Sequence, residues 1–156
     1  MKTLIVYASM HGCTELAAER LKSELKGEVK IQNLKEPVPV FIDAFDIIII
    51  GGSIHAGRIQ RSVKNFCKNN VDILMQKTLG LFICCMDNKR AQEQFNNAFS
   101  VTIRHHAKAH GLFGGIFDFD KMNFLQKAIV KKVAGVEQSV EHLNSQAIHE
   151  FALQFQ

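Results

Sequence analysis

The residues with the most chemical reach in this chain stand in three short stretches, each directly after an apolar run. Ser9-Met10-His11-Gly12-Cys13-Thr14 follows the run at 4–8 and leads into a helical pattern. It carries hydroxyls, one glycine and no carboxylate, a composition suited to receiving a phosphate. Backbone N–H groups at a helix start and the positive end of the helix dipole bind an anion without Lys or Arg, and Ser9 and Thr14 add hydroxyl donors. The same residues also read as an ordinary strand-to-helix turn with Thr14 as its cap. Gly51-Gly52-Ser53-Ile54-His55-Ala56-Gly57-Arg58 follows the third apolar run and reads as a turn that brings backbone close to a flat ligand. Met86-Asp87-Asn88-Lys89-Arg90 follows the fourth, with Asp87 also placed to cap the next helix.

Other reactive residues point to packing. Cys13, Cys67, Cys84 and Cys85 include no C-x-x-C, so neither a disulfide framework nor a four-thiolate zinc site is expected. Cys13 sits at a helix start, where thiolate character is favoured, and reads as a small residue beside the phosphate loop. His106 and His110 fall at i and i+4, a metal-ligand spacing, but Phe99 and Ile103 share that face, and no metal is assigned. A Walker loop and a G-x-G-x-x-G fingerprint are both missing after the first strand.

The elements that must position these stretches alternate regularly. Apolar or β-branched runs at Leu4–Ala8, Val29–Leu34, Ile47–Ile50, Leu79–Cys85 and Leu112–Phe117 predict five strands. The second alternates in polarity and belongs at an edge; the third and fourth are continuously apolar, as strands covered on both faces are. Between them, helical spacing links Leu16, Ala17, Leu21 and Leu25 before the stop signal Gly27. It also links Val63, Phe66, Cys67, Val71 and Leu74, then Phe95, Ala98, Phe99, Ile103, His106 and His110. Met122, Leu125, Ile129 and Val133 predict a further helix, and Val140, Leu143, Ala147, Phe151 and Phe155 a last one. Pro37 and Pro39 interrupt only the segment after strand two. Strand–helix alternation with right-handed crossovers gives a doubly wound, three-layer α/β sandwich: a five-stranded parallel sheet in order 2-1-3-4-5 with helices on both faces. Ligands of such sheets bind beyond the carboxyl ends of the strands where the strand order reverses, which is where the three stretches fall.

At 156 residues, 47% hydrophobic and 22% charged, the chain is expected to form one domain over 1–156 with a sizeable core. No stretch approaches the roughly 18 apolar residues of a membrane span, and the start reads as a strand rather than a secretory leader, so a cytoplasmic protein is expected. Nineteen Lys+Arg against fifteen Asp+Glu give +4, spread too thinly for nucleic acid. The charge suits an anionic lipid surface or an acidic partner, or simply a soluble surface.

The strand followed by Ser9-Met10-His11-Gly12-Cys13-Thr14 resembles the flavodoxin phosphate loop, a hydroxyl-rich T/S-x-T-G-x-T-like pattern, and Gly51 to Arg58 falls where flavodoxin-like proteins have their first isoalloxazine loop. Within that superfamily the chain is most similar to menaquinone-dependent protoporphyrinogen oxidase and its flavodoxin-domain relatives. The likeness lies in Gly51 to Gly57, and in Gly114-Gly115-Ile116-Phe117 followed by a basic amphipathic stretch. The resemblance implies FMN, with phosphate on Ser9, Met10, His11, Gly12, Cys13 and Thr14, and the ring between Ser53, Ile54, His55, Ala56 and Gly57 on one side and Met86, Asp87 and Asn88 on the other. Asn88 would meet the pyrimidine edge, and His11, if protonated, would pair with the phosphate. With no Trp, and Tyr7 the single tyrosine, Ile54, His55 or Met86 takes the place of a stacking aromatic. The chemistry would belong to the flavin, with no catalytic side chain. Three functions follow: an FMN-dependent oxidoreductase, quinone-linked and protoporphyrinogen-oxidase-like; a plain flavodoxin-type electron carrier; or a flavin-free binding module. The implied partners are a redox protein or a quinone, with peripheral membrane contact through residues 119–132.

Overall fold

Continuous runs of β-branched residues form strands that hide both faces, and such runs build the centre of this sheet. The structure is a computed structural model that describes residues 1–117, 140–141 and 143–156. β1 (Lys2–Ala8), β2 (Glu28–Asn33), β3 (Ile47–His55), β4 (Arg58–Ile59), β5 (Thr78–Cys84) and β6 (Ala109–Leu112) make one sheet. Five of them run parallel in the order β2-β1-β3-β5-β6, the predicted order once the two-residue β4, antiparallel to β3, is set aside. β2 alternates in burial at the edge, as its sequence required, whereas β1 and β5 are buried after their first residue.

Helices α1 (Cys13–Glu24) and α6 (Ser145–Leu153) cover one face. There Ala17, Ala18, Leu21, Ile148, Phe151 and Phe155 meet Ile5, Ile49 and Phe82 of the sheet. The other face carries α2 (Arg61–Asn69), α3 (Val71–Leu74), α4 (Ala91–Ala98) and α5 (Val101–His106) over Leu4, Val6, Ile48, Ile50, Leu81 and Ile83. No helix links β2 to β3: the prolines at 37 and 39 suit extended backbone, and Ile42 and Phe45 from this stretch join the core directly.

Four expectations are corrected. The fifth parallel strand is Ala109–Leu112, not Leu112–Phe117. Ile116–Phe117 instead forms β7, antiparallel to β8 (Val140–Glu141), outside the main sheet. The long helix expected through His110 is two helices, because Ser100 restarts the chain by accepting the Ile103 N–H on its hydroxyl; α5 ends at His106, and His110 lies in β6. That separates the two histidines: the His106 ring bonds the Lys77 carbonyl at 2.9 Å and the His110 ring the Arg104 carbonyl at 2.8 Å. The last helix starts at Ser145, capped by the Asn144 side chain, so Val140 and Leu143 precede it. The predicted helix through Met122 and Val133, and with it the 119–132 region, lies outside the described residues. Among the described residues no helix is long and apolar enough to cross a membrane.

Candidate functional site

The chain leaves β1 toward β2 on one side and returns to β3 on the other, so the order reverses between β1 and β3, the position where open α/β sheets bind ligands. Register brings the loops to one level: Ala8 is paired with Gly52, and Gly52 with Ile83, so the chain leaves β1, β3 and β5 side by side.

The β1–α1 turn is held by its own first residue. Buried Ser9 accepts the Gly12 N–H on its hydroxyl at 3.0 Å, which occupies one amide of the turn. Gly12 is the N-cap residue with φ 86°, a left-handed conformation that glycine adopts without the side-chain clash other residues meet. No side chain caps α1, so Thr14 is not the cap that the alternative reading required. A helix leaves its first N–H groups without intrahelical acceptors, and α1 starts at the switch point. The Thr14 hydroxyl is fully buried and, among the described residues, has only the Cys84 sulfur as a candidate partner. It lies beside Cys84 and would donate to that sulfur as a thiolate. A hydrogen bond with Cys13, and then burial, instead push the Cys84 thiol well above its usual range. An uncapped helix start with an unsatisfied hydroxyl fits an anionic group, because buried polar atoms are rarely left without partners.

The second stretch is not the turn expected over 51–58. Gly51 and Gly52 lie inside β3, and packing explains both. A Cβ on Gly51 would fall 2.0 Å from the Phe82 ring, and one on Gly52 would fall 2.7 Å from both Ile59 and the Gln60 side chain. The loop proper is two residues, Ala56 (φ 49°) and Gly57 (φ 76°), closing a hairpin in which His55 pairs with Arg58. Positive φ at both positions is the requirement of the tight hairpin turn whose twist matches its strands. Gln60, which sequence reasoning missed, fixes the base of this hairpin: its side-chain carbonyl accepts the Ser53 N–H at 3.0 Å and its amide donates to the Ser53 hydroxyl. A glutamine just after a glycine-rich hairpin is the only sequence signal for that clamp.

The two regions meet through histidines: the His11 and His55 rings face each other edge to face with centroids 6.3 Å apart. Met10 and His55 are exposed and Ile54 is half-buried. The third stretch is more self-contained. Met86 packs on Gly115, where an added Cβ would sit 3.0 Å from its side chain. Asp87 and Asn88 are exposed and bonded locally, with Asp87 accepting the Arg90 N–H at 3.3 Å and Asn88 donating to the Met86 carbonyl at 3.1 Å. Arg90, rather than Asp87, is the N-cap residue of α4. Cys85 turns to the opposite face and donates to Gln94; burial raises its thiol. Among the described residues no group of three or more His, Cys, Asp or Glu side chains is placed to hold a metal ion.

Three carboxylates act on Tyr7 at the end of β1. Burial, then the Glu15, Glu36 and Glu19 carboxylates, hold the Tyr7 hydroxyl up to about 12, and Tyr7 hydrogen-bonds to Glu15 in the first turn of α1.

This sheet order and this open turn define a flavodoxin-like protein. Residues 4–142 match the model of the flavodoxin domain, and the chain belongs to that family. No curated protein matches it. Among solved structures, oxidised flavodoxin 1 from Bacillus cereus superimposes with a TM-score of 0.58 at 18% identity, covering 99% of this chain and 97% of that one. A flavodoxin from Fusobacterium nucleatum bound to flavin mononucleotide gives 0.54 at 15%, with 98% and 95% covered. Rubredoxin oxygen:oxidoreductase from Desulfovibrio gigas gives 0.60 at 14% over 99% of this chain but 35% of that one, so this chain spans about a third of that protein. These likenesses share the fold.

Proposed function

We propose that the chain is a flavodoxin-type electron carrier holding FMN at the carboxyl ends of β1, β3 and β5. The observation that carries this reading is the uncapped start of α1 at the switch point, with the buried Thr14 hydroxyl that among the described residues has no oxygen or nitrogen partner. The fold supports it, as does the Fusobacterium flavodoxin with its bound flavin mononucleotide. FMN, when bound, accepts and donates electrons one or two at a time. The chain's own part is positioning. The first-turn amides of α1 and the Thr14 hydroxyl would take the phosphate. The Ser53–Gly57 hairpin, preset by Gln60, would flank the ring with Ile54 and His55. Met86 would supply an apolar edge and Asn88 a rim amide. With both ring loops lacking Tyr and Trp, most of the affinity would rest on the phosphate end.

Titration of the purified protein with FMN, read by quenching of flavin fluorescence, tests the reading. One FMN per chain is expected, with riboflavin, which lacks the phosphate, at least ten-fold weaker. Equal binding of the two flavins, or failure to retain FMN, overturns it and leaves a flavin-free module.

We further propose a redox partner protein or a quinone as the acceptor, in the cytoplasm. Support for the quinone, for a protoporphyrinogen-oxidase-like activity and for membrane contact through 119–132 is the motif resemblance at 51–57 and 114–117. Steady-state quinone reduction by the FMN-loaded protein separates the two acceptors, since a carrier turns over only with its protein partner. Cosedimentation with anionic vesicles tests the membrane contact.

A further inference from the structure

A second concave surface lies away from this site. α2 and α4 both begin at the carboxyl end of the sheet, and residues from Lys64 to the end of α2, the last residues of α4, the α4–α5 connection and the first residues of α5 line a groove of about 650 Å³. That end of α2 is separated from its start by roughly 13 Å, from nine residues at about 1.5 Å each. The size falls in the range of roughly 300–1,000 Å³ typical of ligand pockets. Its floor is apolar, with buried Cys67 and Phe99, and Val101 stands on its lip 56% exposed. Its charge is of one sign. Lys64 and Lys68, exposed at i and i+4 of α2, face the groove with Arg104 from α5, and among the described residues no Asp or Glu lines it. Among the described residues neither lysine's side-chain ammonium has an ion-pair or hydrogen-bond partner. Arg104 is aimed rather than free to swing: its guanidinium donates to the Phe99 carbonyl at 3.0 Å and to Asn96 at 3.2 Å, which leaves further N–H donors of the fork for an incoming group.

We propose that this groove anchors an acidic, amphipathic segment of a protein partner. Apolar side chains of the segment would cover Val101 and the floor, and carboxylates would reach Lys64, Lys68 and Arg104. An exposed apolar lip with Lys64, Lys68 and Arg104 beside it, and no carboxylate against them among the described residues, selects such a segment: opposite charge steers the encounter, and burial of the apolar centre holds it. The chain's +4 balance adds long-range attraction. Because the groove lies at the far ends of the helices, this anchoring does not depend on the FMN reading.

The probe is a fluorescently labelled dodecapeptide with Asp and Glu on one helical face and Leu and Phe on the other. Its neutral counterpart carries Asn and Gln in place of the acids. Anisotropy titrations of the full chain should show saturable binding of the acidic peptide, weakening with salt. Binding should be at least ten-fold weaker for the neutral peptide and for K64E/K68E, and several-fold weaker for Val101→Ser. All three positions are exposed, so the fold should survive these changes, and FMN titration of each variant should match the parent. Lys26→Glu, the same type of charge change elsewhere on the surface, should leave peptide binding intact. Equal loss in Lys26→Glu, equal binding of the neutral peptide, or no saturable binding overturns the proposal. So does a concentration-dependent dimer that K64E/K68E abolishes in sedimentation, which would make a second copy of the chain the occupant.

Discussion

The β1–α1 turn and the β3–β4 hairpin meet through His11 and His55, yet they solve their hydrogen bonding in opposite ways. The hairpin is complete by itself: Gln60 satisfies both the amide and the hydroxyl of Ser53, and two left-handed residues close the turn. The β1–α1 turn is incomplete: one amide is taken by Ser9, but the helix start is uncapped and the buried Thr14 hydroxyl has no oxygen or nitrogen partner among the described residues. A ligand gains hydrogen bonds from the second and a preset wall from the first. Substitutions in the hairpin should therefore move folding more than binding, and substitutions in the turn should move binding more than folding.

The largest expected effect lies at the root of the hairpin. Gly51→Ala places a methyl group 2.0 Å from the Phe82 ring, which also stacks on Phe113. Overpacking of this kind costs about 3 kcal/mol, read as a lower urea midpoint with an unchanged slope. Adding Phe82→Leu should recover part of it, since the shorter side chain frees the space. If Gly51→Ala leaves stability intact but removes FMN binding, β3 approaches the ligand after all and the contrast breaks.

Next comes Thr14→Val, which deletes the orphaned hydroxyl with little change of shape. A hydrogen bond to a charged group contributes about 2 kcal/mol, so FMN should bind roughly thirty-fold more weakly by fluorescence titration. Urea stability should hold or rise slightly, because an unsatisfied buried group is lost. A clear drop in stability would mean that the hydroxyl serves the apo fold, and the two regions would then differ less than proposed. Ala56→Gly sharpens the other side. A left-handed alanine costs about 1–2 kcal/mol and a glycine gives back part of that through unfolded-state entropy, so the variant should be more stable by about 0.5–1 kcal/mol with FMN affinity unchanged.

The same contrast explains what was legible in the sequence. The parallel sheet and the phosphate-loop position could be read because each depends on local pattern: unbroken apolar runs at 47–50 and 79–85, and a hydroxyl-rich turn before a helix. The errors come from contacts between segments. Helical spacing through His106 and His110 concealed the break at Ser100 and the strand that holds His110. Gly51 and Gly52 looked like a loop because a glycine required by the Phe82 ring and one required by a turn are the same letter. Gln60 was invisible because its role is a tertiary clamp across a hairpin whose Ala-Gly turn lacks the usual Asn-Gly signal. The β2–β3 connection was legible too, since Pro37 and Pro39 interrupt that segment and favour extended backbone in the residues before them.

The smallest effect expected probes a charge that opposes the proposed anion. Glu15 stands in the first turn of α1, where a carboxylate favours the helix dipole but disfavours a second negative group nearby. Being exposed, it is screened, and Glu15→Gln should tighten FMN by only about two- to five-fold, an effect that fades as salt is raised. The variant carries its own check on placement. Burial and the three neighbouring carboxylates hold Tyr7 up to about 12, and Glu15 is the largest of the charged contributors and also its hydrogen-bond partner. Because Tyr7 is the single tyrosine and the chain has no Trp, alkaline titration of tyrosinate absorbance reports this group alone. A raised phenol pKa means the folded chain keeps a proton that the unfolded chain releases, so this contribution to stability is present below pH 10 and fades as pH approaches 12. Glu15→Gln should shift the Tyr7 titration downward and soften that alkaline loss. If FMN tightens while Tyr7 does not move, Glu15 acts on the ligand from another position than the one seen beside Tyr7. If Tyr7 moves and FMN does not, the phosphate is not held at the start of α1.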